Sequence, residues 1–244
     1  MAILLLHGEA VGSPGPAPVL EGLQALYHFA DGAGQALADS SGQGRHGVLG
    51  STSGADTNDP TWVAAGLSFT TDDYVACGTD AALRPDALTI CAAVKLTASA
   101  AVPIVGWGAT AQYPAVYAAA PFNANRPVIW LGNNCYRYFE KSSPTNLQDG
   151  GWHFLVFTLP GNTSADIVSA ELTVDGIAQT INSTQTTSEG VAKTLCRIGR
   201  AGTATYAEGS MAFLSIHDRV LPSVEKEQMR TYATAMLAGR VTLP

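Results

Sequence analysis

Sugar rings are recognised by flat aromatic faces with polar groups beside them, and one stretch of this chain is rich in both. Between residues 107 and 139 it carries Trp107, Tyr113, Tyr117, Trp130, Asn133, Asn134, Tyr136 and Tyr138. An aromatic side chain offers a broad apolar face with a polar handle, which suits stacking on a carbohydrate and equally suits packing in a core. Each position therefore stands as a carbohydrate-binding candidate with a core role as its alternative.

Catalytic chemistry is harder to find. Glycoside hydrolysis needs two carboxylates held at a set separation across the bond. Glu171 and Asp175 have the spacing to share one face of a strand, but Asp175 precedes Gly176 and reads better as a hairpin turn residue. The glycine–serine pairs at Gly12, Gly50 and Gly209 lack the Gly-x-Ser-x-Gly spacing of a nucleophile elbow. His153 follows Trp152 inside an apolar run and reads as a structural histidine with satisfied partners. No catalytic residue is assigned, and the chain is read as non-enzymatic. Oxygen-rich turns at Asp39–Ser41, Asp56–Asp59 and Asp72–Asp73 hold the ingredients of a structural calcium site. Calcium wants roughly six to eight converging oxygens, and ordinary turn chemistry accounts for each cluster. No metal or cofactor is assigned, with structural calcium kept as the alternative.

Composition narrows the classes further. The chain has 244 residues and a formal net charge of −7, with 46% hydrophobic and 14% charged residues. Sandwich domains of roughly 200–250 residues often form a single unit. Thirteen lysines and arginines against 20 acidic residues leave no basic face for nucleic acid. No run approaches the roughly 18 apolar residues of a membrane-spanning helix, so neither nucleic acid nor membrane is expected as a partner. Disordered chains are poor in hydrophobics and rich in charge, the reverse of this one. The apolar run Ala2–Leu6 lacks a basic segment before it and is too short for a secretory signal. Cys77, Cys91, Cys135 and Cys196 are scattered, without a Cys-x-x-Cys pair, and read as free thiols.

The elements that must position these residues are short and β-like. Residues 9–22 are rich in Gly and Pro and form a linker between the apolar arm (Ala2, Ile3, Leu4, Leu5, Leu6) and a domain starting near Leu23. Strands are predicted at 25–29, 47–49, 66–70, 74–77, 88–96, 102–108, 116–119, 128–131, 137–140, 152–159, 170–174, 179–181, 196–199 and 209–217. Short strands with turn signals every 8–12 residues or so indicate an antiparallel sandwich. A helix is predicted over 224–238, capped by Ser223, with Glu225 and Glu227 in its first turn. Its apolar face holds Val224, Met229, Tyr232 and Met236, and Gly239 serves as its C-cap. The expected organisation is an arm and linker over 1–22, a jelly roll over 23–221, and a helix and tail over 222–244.

In this order the motifs resemble the laminin-G-like, concanavalin-A-like jelly roll of lectins and glucanases. Leu26-Tyr-His-Phe-Ala-Asp-Gly and Asp39-Ser-Ser-Gly-Gln-Gly44 resemble the first strand and its turn. Leu67-Ser-Phe-Thr-Thr-Asp-Asp-Tyr-Val75 resembles the second signature, and 87–95 the long central strand, although Ala93 stands where a tryptophan is usual. Asp149-Gly-Gly-Trp-His-Phe154, Leu172-Thr-Val-Asp-Gly176, Ile198-Gly-Arg200, Gly209–His217 and Arg219–Ser223 resemble the later strands and closing helix. The resemblance covers roughly residues 23–232 and implies an all-β fold of two antiparallel sheets packed face to face. The Glu-x-Asp-x-x-Glu signature of the retaining glucanases is missing.

Two functions are expected from these readings. The first is a non-catalytic structural protein of a virus particle, a bacteriophage in particular, such as a capsid decoration protein or a tail-associated lectin-like module. The arm would dock onto a neighbouring chain by strand addition, with other virion proteins, copies of itself and glycans as partners at the particle surface. Depletion of charge at interface cores would then account for the low charged fraction. The alternative is a free carbohydrate-binding module of a cellular or secreted protein, placed outside the cell.

Overall fold

The computed structural model describes residues 15–96, 101–108, 114–121, 123–132, 134–188, 193–203 and 205–244. The described residues form two antiparallel sheets packed face to face, one small hairpin and one helix. This is the all-β jelly-roll sandwich expected from the sequence.

The first sheet is built around Leu88–Leu96. That strand pairs along its length with Trp152–Leu159, from Trp152 opposite Lys95 to Leu159 opposite Leu88. Gly209–His217 lies on its other side. Glu171–Val174 and Ile177–Ala178 extend one edge, while Leu23–Tyr27, Gly66–Phe69 and Thr61–Val63 complete the other. The second sheet runs in the order Ile181–Thr186, Cys135–Phe139, Arg126–Gly132, Ala115–Ala120, Val102–Gly106, Cys196–Ile198, Val75–Gly78, Gly47–Leu49, Ala36–Leu37. A hairpin of Arg200–Ala201 and Thr205–Tyr206 leaves the end of the Cys196–Ile198 strand.

Alternation along each strand divides the apolar residues between the inter-sheet core and an outer layer. In the central strand Leu88, Ile90, Ala92, Val94 and Leu96 enter the inter-sheet core. Cys91 and Ala93 point the other way, into a second cluster with Phe154, Phe213, Met229, Tyr232 and Leu237. Both faces of the strand are therefore buried, which explains its uninterrupted apolar run. Ala93, in place of a large aromatic, lies beneath the helix that covers this face.

That helix spans Ser223–Leu237. Its N-cap is Pro222 rather than Ser223, and no side chain caps it; Arg219 instead holds Glu225 of the first turn at 2.7 Å. Met229, Tyr232, Ala233 and Leu237 are buried. Val224 is 77% exposed and Met236 40%, so neither belongs to the buried stripe expected of them. Five residues at about 100° each place Val224 on the far side of the helix from Met229. Gly239 adopts a left-handed conformation (φ 80°) just after the helix, the position where glycine is favoured. The linker end is pinned here too: the Val19 amide donates to Met229 Sδ at 3.2 Å.

The four cysteines are buried, and none of them forms a disulfide. Asp175 and Gly176 both take positive φ (54° and 82°), as expected of a tight hairpin turn.

Candidate functional site

Nothing equivalent to the helix covers the described outer face of the second sheet. Residues directly opposite each other on antiparallel strands project to the same side, so the pairing builds a continuous transverse row. It runs Gln185, Tyr136, Trp130, Ala115, Gly106, Arg197, Ala76. A parallel row holds Ser183, Tyr138, Val128 and Tyr117. Ala115, Tyr117, Ala120, Val128, Tyr138 and Ala201 form a buried cluster, and Trp130 and Tyr136 pack against it while staying partly exposed.

Four of the sequence candidates thus converge. The Trp130 and Tyr136 rings lie 5.4 Å apart, and Tyr136 meets Tyr138 edge-on at 5.0 Å. Tyr117 and Tyr138 are nearly buried and form the floor; Trp130 and Tyr136 present ring surface. Burial, and then the neighbouring Tyr136, push the Tyr138 phenol above its ordinary range, so it stays protonated. At one end Arg126 pairs with Glu140 at 3.2 Å, and Asn182 donates to Glu140 at 2.6 Å. These two contacts, Asn182 first, hold the Glu140 carboxyl below its usual value.

At the other end the 200–206 hairpin crosses the sheet where the chain has its smallest residue. A Cβ on Gly106 would lie 2.2 Å from the Arg200 carbonyl oxygen, so glycine is required for this approach. Ala201 joins the aromatic cluster, while the Arg200 guanidinium sits between Tyr74 (4.8 Å) and Tyr206 (4.9 Å). Arg197 lies over the same Tyr74 ring at 5.5 Å. Sequence reasoning missed this group, because only the register of distant strands brings Arg197 into the row with Trp130.

Trp107 corrects one expectation. It is 1% exposed, belongs to the inter-sheet core, donates its indole N–H to Leu83 O at 2.7 Å, and lies under the Lys193 ammonium. The register of the preceding strand shifts at Val102/Pro103 and again at Pro103/Val105, and such irregularities defeat alternation. Asn134 is exposed at the turn beyond Trp130 and Tyr136, its amide donating to Ser188 Oγ at 2.9 Å. Tyr113, Asn133 and the arm residues Ala2, Ile3, Leu4, Leu5 and Leu6 lie outside the described residues.

Other candidates resolve into structural roles. His153 is held by Asp175 (2.7 Å) and Asp149 (3.0 Å), and Asp175 also accepts the Phe154 amide. Glu171 is instead paired with Lys226 at 2.9 Å, so Glu171 and Asp175 serve different partners. Asp39 accepts the amides of Leu26, Ser41 and Arg45. Burial raises its carboxyl, and these bonds outweigh that and leave it low. Asp56 accepts from Ser51 and Asn58, Asp59 from the Asp56 amide, and Asp73 from Thr70. Among the described residues no three His, Cys, Asp or Glu side chains gather into a metal-holding set. A separate concavity of about 700 Å³ lies between the helix and the edge of the first sheet; there Lys226 and Arg230 are already paired, with Glu171 and Glu227.

Together the two antiparallel sheets and one open aromatic face define a lectin-like sandwich. The chain belongs to the concanavalin A-like lectin/glucanases superfamily, whose family model matches residues 69–225. No curated protein matches it. Among solved structures it is similar to domain 4 of AbnA, a GH43 extracellular arabinanase from Geobacillus stearothermophilus, in complex with arabinotriose. The TM-score is 0.57 at 12% identity, covering 85% of this chain and 97% of that one. It is also similar to the Trypanosoma rangeli sialidase, with TM-score 0.60 at 14% identity. That match covers 89% of this chain but only 34% of the sialidase. At these identities the likeness is one of fold.

Proposed function

We propose that the chain is a non-catalytic carbohydrate-binding domain whose site is the open face of the second sheet. The observation that carries this reading is the convergence of Tyr117, Trp130, Tyr136 and Tyr138 on one face, with two partly exposed rings above two buried ones. A half-exposed ring held at its edges by other rings is a rigid stacking platform, and rigidity limits the entropy lost on binding. Family membership and the arabinotriose complex of the similar arabinanase domain support the same assignment. Arg126, Glu140, Asn182, Ser183 and Gln185 would supply polar contacts at the rim. Non-catalytic binding is favoured because Glu171, Asp175 and His153 are engaged in structural pairs away from this face.

Placement on a virus particle, with attachment through Ala2–Leu6, remains a proposal that rests on the sequence of the arm and the low charged fraction; an extracellular module is its alternative. The stacking platform itself is tested by Trp130→Ala in the full chain, screened on arrayed oligosaccharides. Binding is expected to weaken about tenfold or more, with the thermal midpoint little changed. Equal binding by both proteins, or a blank array for the wild type, overturns the assignment.

A further inference from the structure

In a chain of net charge −7, two neighbouring arginines stand without a carboxylate among the described residues. Among the described residues five other lysine and arginine side chains pair with a carboxylate: Arg45 with Asp80, Arg126 with Glu140, Arg219 with Glu225, Lys226 with Glu171 and Arg230 with Glu227. Arg137 donates to Thr184 Oγ1 and Ala170 O, and Lys193 to Pro85 O. Arg84 and Arg240 direct their guanidinium groups to backbone carbonyls. Arg197 and Arg200 make no ion pair among the described residues. Their bonds are long ones to the hairpin: Arg197 to Gly202 O at 3.4 Å, and Arg200 to Gly202 O at 3.3 Å and Thr203 O at 3.2 Å. Burial, and next the charge of Arg200, lower the Arg197 pKa. Tyr74 and Tyr206 cover the guanidinium faces, and both arginines are partly exposed.

Position gives this pair its meaning. Arg197 lies in the same transverse row as Trp130 and Tyr136, separated from Trp130 by Ala115 and Gly106. Three strand spacings of about 4.8 Å put it roughly 14 Å from the Trp130 strand, within reach of a short oligosaccharide. The ridge between them is the hairpin backbone over Gly106. A guanidinium presents paired N–H donors in a fork that matches carboxylate and sulfate oxygens, and stacking on tyrosine pre-orients that fork.

We propose that Arg197 and Arg200 form an anion subsite, and that the domain selects acidic glycans whose carboxylate or sulfate docks there while a neighbouring ring stacks on Trp130 and Tyr136. This deepens, and rests on, the carbohydrate-binding reading above. The test is an array of neutral, uronate-bearing, sialylated and sulfated oligosaccharides probed with the full chain and with Arg197→Gln, Arg200→Gln and Arg200→Lys. Retention is expected on acidic sugars, with the carboxylated and sulfated spots identifying the anion. Each glutamine variant should weaken it about tenfold or more, and Arg200→Lys should restore part of it. An independent readout needs no variant: raising salt from about 0.1 M to about 1 M shortens the Debye length from about 10 Å to about 3 Å and should release acidic ligands from the wild type. Binding confined to neutral sugars, or acidic binding indifferent to salt and to both arginines, overturns the anion subsite and leaves the carbohydrate reading standing. A blank array overturns both.

Discussion

The two outer faces of the sandwich begin from similar strands and end differently. On the first sheet the outward residues Cys91, Ala93, Phe154, Val156 and Phe213 are covered by the C-terminal helix, with Met229, Tyr232, Ala233 and Leu237 pressed against them. On the second sheet the outward residues are large rings flanked by Ala115, Ala120 and Gly106, and the described covering element is one narrow hairpin. On the covered face Trp152 packs, partly buried, against the cluster under the helix. The open face carries Trp130 and Tyr136 partly exposed, beside Arg197 and Arg200, which make no ion pair among the described residues. The difference separates the layer that stabilises the domain from the layer available to a ligand, and mutations on the two faces should therefore have opposite profiles.

The largest expected effect lies under the helix. Met229 is fully buried and its sulfur accepts the Val19 amide. Met229→Ala leaves a cavity between helix and sheet and should cost about 2–5 kcal/mol, read as a lower midpoint in urea unfolding. Glycan affinity of the folded fraction should not change, because the opposite sheet is untouched. Loss of binding at full folding would break the division between the faces.

A smaller effect sharpens it. His153 sits at the rim of the covered sheet between Asp175 and Asp149. Burial alone lowers its pKa, but the bonds to Asp175 and then Asp149 outweigh burial and leave it raised above 6.5. Since the folded pKa exceeds the unfolded one, this stabilisation is fully present below about pH 6.5 and is lost as pH rises through the folded value. His28 and His217 act oppositely, because burial lowers both, so the wild-type curve is a composite. His153→Gln isolates the pair: the variant should lose about 1.5–3 kcal/mol at about pH 5.5 and less at about pH 9, in matched thermal melts. A pH-independent loss would show that His153 contributes no charge-assisted bond.

Legibility in the sequence follows burial. The predicted bounds 47–49, 88–96, 152–159 and 209–217 match the strands found, three of these being long apolar runs in which every second residue enters the core. Thr61–Val63 and Ile181–Thr186 escaped because they are edge strands with polar or exposed side chains, held by pairing rather than by burial. The site divides in the same way. Tyr136 and Tyr138 stand two apart, so alternation places both on one face. Trp107 follows two register shifts that alternation does not see. Arg197 joins Trp130 through two neighbouring strand pairings and one distant one, Gly106 with Arg197, and that last link is information no local pattern holds.

The smallest expected effect concerns the outside of the helix. From its apolar character Val224 should face the sheet, yet it is 77% exposed and sits in the first turn, where helix amides lack partners. Val224→Glu removes a β-branched residue from a helix and adds negative charge near the positive end of its dipole. No buried contact is lost, so the expected change is a gain of about 0.5 kcal/mol or less in unfolding free energy. If Val224 instead lies against a second copy of the chain, the carboxylate would be buried at that contact and sedimentation would show dissociation on substitution. An unchanged sedimentation profile with a small rise in the melting midpoint assigns the outer surface of the helix to solvent.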